Sequence, residues 1–275
     1  MKQKNKITVL IMLLAAASVL VQSCGKDNMK YPSSTLSGRF TYQGQPVGLI
    51  HTNPDVIGSA NTATLLLQQV KGDQPVYGAG EVRVYAKHDG SFTAKFFDGE
   101  YNMRTQTNRN PFEDFTTPKA ITVNGNTDLG NIEVVPYWWM SNFQTTYTGG
   151  VFTANFNLTK VSTNSARTLE RVYIFLSPTN TPDIQSATIG LAKNWTPGTN
   201  SGGIVVPAAN GSGSNTCTVK LDLVALVNST ATADKDAVQK LTSFGGNRTI
   251  FATVAVKTTG INDALYSDAI QLQLP

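Results

Sequence analysis

The stretch VRVYAKHDGSFTAKFFDGEYNM, residues 82–103, indicates the fold class of this protein. Apolar and polar side chains alternate on both sides of Asp89-Gly90, as they do in strands that bury one face. An Asp-Gly pair between two such segments predicts a β-hairpin, and Asp98-Gly99 predicts a second turn of the same kind. These residues therefore predict a structure built from short β-strands.

Short strands continue on both sides of this stretch, over residues 36–136. Apolar segments separated by turns such as Asn124-Gly125 predict them at residues 36–42, 63–70, 121–123 and 132–134. No segment in this region has the apolar period of a helix, so we expect an all-β sandwich with two sheets around one core. Three polar loops, at residues 49–60, 72–78 and 108–115, are either connectors or parts of a binding site. The two phenylalanines of the third loop are expected to be exposed.

The run Tyr137-Trp138-Trp139-Met140 marks the start of a second domain, residues 137–275. Alternating apolar residues predict strands around residues 152–158, 172–176, 219–223, 250–256 and 270–274, a spacing that fits an immunoglobulin or fibronectin type III-like sandwich. One helix interrupts this pattern, with apolar residues at Ala237, Val238, Leu241 and Phe244. We expect Thr232 or Asp234 to cap it and Gly245-Gly246 to end it.

The order of the turns makes the prediction more specific. Gly44-Gln45-Pro46, His88-Asp89-Gly90-Ser91-Phe92 and Asp98-Gly99-Glu100-Tyr101 follow each other as in carboxypeptidase-regulatory or transthyretin-like sandwiches. With the closing segment IEVVPY at residues 132–137, the chain resembles the two-domain DUF3823 lipoproteins of Bacteroidetes over nearly all residues after 23. The resemblance implies a transthyretin-like domain at 36–136 and an immunoglobulin-like domain at 137–275. The resemblance also implies that the protein accompanies outer-membrane glycan importers of the starch-utilisation type. It identifies no catalytic residues.

The N-terminus has the pattern of a secretory signal peptide. Positively charged residues precede an apolar segment at 7–21 that is too short to span a membrane. A small residue directly before Cys24 resembles the bacterial lipobox, which predicts a signal peptide at 1–23 and lipid attachment at Cys24; the alternative is an ordinary signal peptide with a chance cysteine. Cys217 then has no disulfide partner, and we expect it to be buried as a small apolar residue.

A short tether, residues 24–35, is expected to connect the lipid to the first sandwich. Lys26-Asp27 within it resembles the signal that sends Bacteroidetes lipoproteins to the outward face of the outer membrane. We therefore expect a lipid-anchored protein at the cell surface, with the periplasmic face as the alternative. Three of the 22 basic residues lie in the predicted signal peptide, so the remaining chain is almost neutral and nucleic acid is not an expected partner.

Residues suited to catalysis are few. The two histidines are His51 and His88, and the motifs of metal sites, serine hydrolases and phosphate-binding loops do not occur. We expect His88 to be a solvated turn residue. The carboxylates of Asp89, Asp98 and Asp263 are expected to accept backbone hydrogen bonds in turns. The sequence therefore predicts a protein that is not an enzyme and that uses no metal or cofactor.

The candidate binding residues are aromatic, because sugar rings stack on aromatic faces. They are Trp195, Trp138, Trp139 and Tyr137. Trp195 lies in a polar segment, where it either folds back on its own domain or presents its face to a ligand. Strand alternation places Trp138 and Trp139 on opposite sides, so one of them is expected to be core. The leading interpretation is a surface module that assists glycan capture; the alternatives are a fimbrillin-like assembly subunit and an accessory lipoprotein that contacts only a protein partner.

Overall fold

Strands form in this protein where apolar side chains alternate and bury one face. The computed structural model describes residues 31–49, 63–72, 80–115, 117–180, 182–183, 190–211, 214–242 and 248–275. The predicted signal peptide, Cys24, His51 and most of the first two polar loops lie outside these residues. The strands of the first half are β1 (Ser34–Tyr42), β2 (Gln45–Pro46), β3 (Leu65–Gly72), β4 (Val82–Val84), β5 (Ser91–Phe96), β6 (Gly99–Thr105), β7 (Lys119–Val123) and β8 (Asn126–Glu133).

These strands form a sandwich of two four-stranded sheets, which confirms the predicted fold class. In one sheet β1 pairs with β2 and β5, and with β8 in parallel. The other sheet has the order β4-β3-β6-β7. The core between them is apolar and nearly solvent-free, with side chains such as Leu36, Phe40, Phe92, Leu65 and Tyr101 exposed by 2% or less.

The predicted hairpin at Asp89-Gly90 is wrong. Strand β4 before the turn pairs with β3, whereas β5 after it pairs with β1 in the opposite sheet. The turns at Asp98-Gly99 and Asn124-Gly125 likewise carry the chain from one sheet to the other. A tight turn fixes only a local reversal of the chain, and here the burial of Phe92 and Phe96 beside β1 determines which sheet the next strand joins.

Asp98 links two of these turns, and we predict a pH effect from it. Its carboxylate accepts hydrogen bonds from Ser34 Oγ and from the Gly125 N–H, which hold its pKa below the ordinary value of 3.8. The ionised form is the one stabilised, so its contribution is present above a pH of about 4 and is lost as the pH falls through the lowered pKa.

We expect Asp98→Asn to lower stability at pH 7 and to flatten the decline in stability between pH 5 and pH 2, measured by chemical denaturation at each pH. Asp236→Asn, an exposed carboxylate on a helix, is the matched control. A decline in Asp98→Asn as steep as that of the control would contradict this role.

The second half forms another sandwich. Its strands are β9 (Trp138–Thr148), β10 (Val151–Lys160), β11 (Leu169–Ser177), β12 (Leu191–Trp195), β13 (Asn200–Ser201), β14 (Ile204–Val205), β15 (Ser214–Asp222), β16 (Thr249–Thr258), β17 (Ala264–Tyr266) and β18 (Ile270–Gln273). One sheet has the order β13-β14-β15-β10-β9, and the other has β12-β11-β16-β17 with β18 also on β16. The predicted alternation along β10 is confirmed, and β11 is central as expected, with β12 and β16 on either side.

The described residues contain two helices, where the sequence predicted one. Helix α1 (Leu223–Val227) was missed, because Leu223 continues the apolar alternation of β15. The chain leaves the strand at Asp222, whose carboxylate accepts a hydrogen bond from Ala225 N–H at 2.8 Å and so caps the helix. Helix α2 (Thr232–Thr242) is the predicted one, although its proposed caps Thr232 and Asp234 lie inside its first turn and its predicted end falls outside the described residues.

The loop at 108–115 is packed rather than exposed. Phe112 is fully buried with its ring centroid 5.2 Å from that of Phe40, and Phe115 is half-buried beneath the Lys119 ammonium. The prediction of two exposed phenylalanines is therefore wrong, because both rings gain more by joining the first core than by facing water. This loop is a structural connector that reaches the second sandwich.

Residues Ser34–Pro275 form one compact unit, and the two sandwiches contact each other within it. Backbone hydrogen bonds cross the junction: Tyr266 N–H donates to Gly48 O at 3.1 Å, and Asp263 N–H donates to Arg109 O at 2.9 Å. Leu265, on β17 of the second sandwich, is buried in the core of the first. Within the described part of the chain, no helix has the length and apolarity needed to cross a membrane.

Candidate functional site

An open cleft of about 480 Å³ lies at the junction of the two sandwiches. Its volume is within the range of small-molecule sites in proteins. Four segments meet there: the β2 turn, the turn after β4, the start of β9, and β17 with the residues after it. The lining residues are Gln45, Pro46, Gly48, His88, Asp89, Trp139, Met140, Ser141, Asn142, Phe143, Leu265, Tyr266, Ser267 and Asp268.

The two adjacent tryptophans, Trp138 and Trp139, lie in different environments. Trp138 is 1% exposed and belongs to the second core, so it is the core tryptophan that strand alternation predicts. Trp139 points the other way, is half-buried against the first core, and lines the cleft. The Tyr42 ring packs edge-on against it at a centroid distance of 5.1 Å. This contact holds the Trp139 ring in place while part of its surface stays accessible.

A β-bulge shapes the wall next to Trp139. Ser141 pairs with Asn157 and Gln144 with Asn155, so Asn142 and Phe143 together face the single residue Phe156. Asn142 has φ of 52°, in the left-handed region that asparagine tolerates better than most residues. Bulges redirect side chains and occur often beside binding sites. Here the bulge leaves the Asn142 side chain exposed at the cleft.

Both ring nitrogens of His88 face backbone carbonyl oxygens, so the prediction of a solvated turn residue is wrong. Nδ1 lies 2.8 Å from Leu49 O and Nε2 lies 2.8 Å from Ser267 O. The first carbonyl belongs to the first sandwich and the second carbonyl to the other, so the imidazole bridges the junction at the base of the cleft. Its ring centroid is also 6.1 Å from that of Tyr266. No pattern in the sequence indicates this role, because Ser267 is 179 positions away.

Two carboxylates stand at the cleft. Burial alone would raise the pKa of Asp89, but hydrogen bonds from Ser91 and the charges of Arg39 and Lys87 outweigh it and lower that pKa. Asp89 accepts from Ser91 N–H at 3.1 Å, as predicted for a turn aspartate, and Arg39 Nη2 lies 3.0 Å from its Oδ2. Asp268 is exposed. The described residues include no group of three or more His, Cys, Asp or Glu that is arranged to hold a metal ion.

Of the four predicted binding residues, only Trp139 lines this cleft. Tyr137 is 3% exposed and joins the second core together with Trp138. Trp195, at the end of edge strand β12, pairs with Val172 and packs half-buried against that same core. Sequence reasoning missed Asn142, Phe143, Tyr266 and Asp268. A positive φ and a strand bulge put Asn142 and Phe143 at the cleft. Neither feature has a clear pattern in a single sequence.

Fold and cleft define a class of protein: two packed β-sandwiches with an aromatic and polar cleft at their junction. Residues 34–135 match the family described as "Protein of unknown function (DUF3823) N-terminal domain". The chain resembles a DUF3823 family protein from Parabacteroides merdae at 26% identity and a TM-score of 0.60, covering 88% of this chain and 99% of that one. Residues 34–135 therefore carry the N-terminal domain of the DUF3823 family, and the chain as a whole is similar in fold to proteins of that family.

Other solved structures share the fold. A DUF3823 family protein from Bacteroides ovatus matches at 23% identity and a TM-score of 0.60, over 88% of this chain and 100% of that one. A Bacteroides uniformis structure described as a "putative carbohydrate binding protein" matches at 15% identity and a TM-score of 0.58, with the same coverage of 88% and 100%. The comparison with curated proteins gives no match.

Proposed function

We propose that this protein is a non-catalytic carbohydrate-binding module and that the cleft at the sandwich junction holds the sugar. The observation that carries the proposal is the partly accessible Trp139 ring in a cleft that also presents amides and carboxylates. An aromatic face stacks on the apolar face of a sugar ring, while polar groups around it bind the hydroxyls. Gln45 and Asn142 are exposed amides at this cleft, and each both donates and accepts.

The base of the cleft supports the proposal because it is fixed before any ligand arrives. Met140 packs against both cores, and the His88 ring nitrogens each lie 2.8 Å from a carbonyl oxygen, one on either side of the junction. A preformed site loses less entropy when it binds than one that must be ordered. The Bacteroides uniformis structure of similar fold, described as a "putative carbohydrate binding protein", also supports this class of ligand.

The proposal includes a place of action. We propose that lipid on Cys24 anchors the protein to the outer membrane, facing outward, where it assists glycan capture beside a starch-utilisation-type importer. The signal-peptide pattern and the lipobox-like residues before Cys24 support the anchor. The resemblance to DUF3823 lipoproteins supports the association with an importer. Palmitate labelling of the full chain, compared with Cys24→Ala, tests the anchor, and protease accessibility on intact cells tests the face.

Trp139→Ala is the variant that tests the binding site. We expect it to weaken polysaccharide binding by about tenfold or more, corresponding to about 1.4 kcal/mol, because the stacking surface is lost. Isothermal titration calorimetry of residues 25–275 against starch, mannan, xylan, β-glucan and host glycans measures the change. Trp195→Ala, which removes a half-buried tryptophan outside the cleft, is the matched control.

The outcomes separate the alternatives. If Trp139→Ala melts well below the parent, Gln45→Ala provides a second test, because Gln45 is exposed at the cleft and outside the core. If binding is lost in Trp195→Ala but retained in Trp139→Ala, the binding site lies at β12 and not at the cleft. Absence of binding across the panel would contradict the proposed function and favour the assembly or accessory alternatives.

A further inference from the structure

Two carboxylates line the cleft. Asp89 and Asp268 both line it, and its lining as described includes no lysine or arginine. Anion-binding sites in proteins depend on arginine, lysine or a cluster of backbone N–H groups aimed at the ligand. The cleft thus presents carboxylate acceptors for hydroxyl groups, and no lysine or arginine of its described lining can pair with a carboxylate or sulfate.

The two carboxylates are not equivalent. Asp89 is an ion-pair partner of Arg39 and an acceptor for Ser91, so its charge is partly compensated and its oxygens are partly occupied. Asp268 is exposed at the cleft and forms no salt bridge within the described part of the chain. Its negative charge is therefore the one that an incoming ligand meets uncompensated.

We propose that this cleft selects uncharged glycans over uronic-acid-containing or sulfated ones, with Asp268 as the specificity-determining residue. The inference rests on the proposed function and deepens it. A hydroxyl of a neutral sugar donates to the Asp268 carboxylate in a charge-assisted hydrogen bond, whereas a sugar carboxylate at the same place is repelled by it. An unfavourable like-charge contact of this kind is a common source of specificity in binding sites.

A matched pair of ligands tests the selectivity directly. Starch, mannan and β-glucan are each titrated in native form and after oxidation of their primary hydroxyls to carboxylates, so that the backbone stays the same while a carboxylate replaces each oxidised hydroxyl. We expect the parent to bind the oxidised form about tenfold more weakly than the native form at low salt, and less so at high salt because salt screens exposed charges.

The variants assign the effect to Asp268. We expect Asp268→Asn to reduce the discrimination to about twofold or less, because the amide keeps the shape and removes the charge. Asp236→Asn removes an equal charge from the exposed face of α2, and should leave the discrimination unchanged.

The results distinguish the two proposals. If a native polysaccharide binds at the Trp139 site but its oxidised form binds equally well, the selectivity is overturned and the proposed function stands. Discrimination that persists unchanged in Asp268→Asn would overturn the role of Asp268. If neither form of any polysaccharide binds, the proposed function itself fails, and this inference fails with it.

Discussion

Trp138→Ala is expected to lower the free energy of unfolding by about 3–5 kcal/mol, the cost of deleting a large aromatic side chain from a packed core. The indole is 1% exposed and lies in the second core, where β9 begins beside the last residue of β10. Small proteins are typically stable by only about 5–15 kcal/mol, so much of the native stability is at stake. Urea denaturation followed by circular dichroism measures the loss.

Trp138→Phe is the informative control. It keeps a large ring, and it removes an indole N–H that has no hydrogen-bond partner among the described residues. A buried donor without a partner is itself unfavourable, so the loss should be clearly smaller than for alanine. A loss in Trp138→Ala below about 1 kcal/mol, or a Trp138→Phe variant as unstable as the alanine variant, would contradict the packing argument.

Gly48→Ala is expected to be the most damaging single-methyl change at the junction. A Cβ on Gly48 would lie 2.0 Å from Tyr266 O, and that oxygen belongs to the backbone and cannot rotate away. The two sandwiches must separate locally, which strains the hydrogen bond from Tyr266 N–H to Gly48 O. We expect a loss of about 2–3 kcal/mol in stability, as for other overpacked sites, together with weaker glycan binding because Gly48 also lines the cleft.

The variant Gly44→Ala serves as a control that distinguishes the steric clash at Gly48 from the effect of backbone strain alone. Gly44 has φ of 73° but nothing within 4 Å of an added Cβ, so alanine there is strained without a steric collision. We expect it to cost about 1 kcal/mol and to leave binding intact. Differential scanning calorimetry of both variants, with titration against the same polysaccharide, makes the comparison. A Gly48→Ala variant no less stable than Gly44→Ala would show that the junction accommodates the methyl group.

Strand content could be read from the sequence, but strand partners could not. Alternation along residues 152–158 and the doubly apolar 172–176 segment predicted β10 and central β11 correctly, because burial of a face depends on local spacing. Asp89-Gly90 predicted a reversal of the chain and wrongly a hairpin. The sheet that β5 joins is set by contacts with β1, 52 to 62 positions earlier, and no turn residue encodes that choice.

For the site, the sequence identified one useful residue and missed its surroundings. Adjacent tryptophans at a strand start had to face opposite sides, which is what Trp138 and Trp139 do. The cleft itself depends on contacts between residues far apart in sequence, such as His88 with Ser267. Asn142 could not be predicted as a site residue, because no sequence motif marks it. Its position follows from a bulge, where β9 has one residue more than β10.

The buried position of Leu265 has an evolutionary consequence. The N-terminal family domain ends at residue 135, yet its core is completed by a side chain supplied some 130 residues later. A gene fragment that carried only residues 34–135 into a new protein would leave that part of the core open to water. The two halves should therefore be inherited and lost as a pair, and recombination that shuffles the first half alone should be selected against.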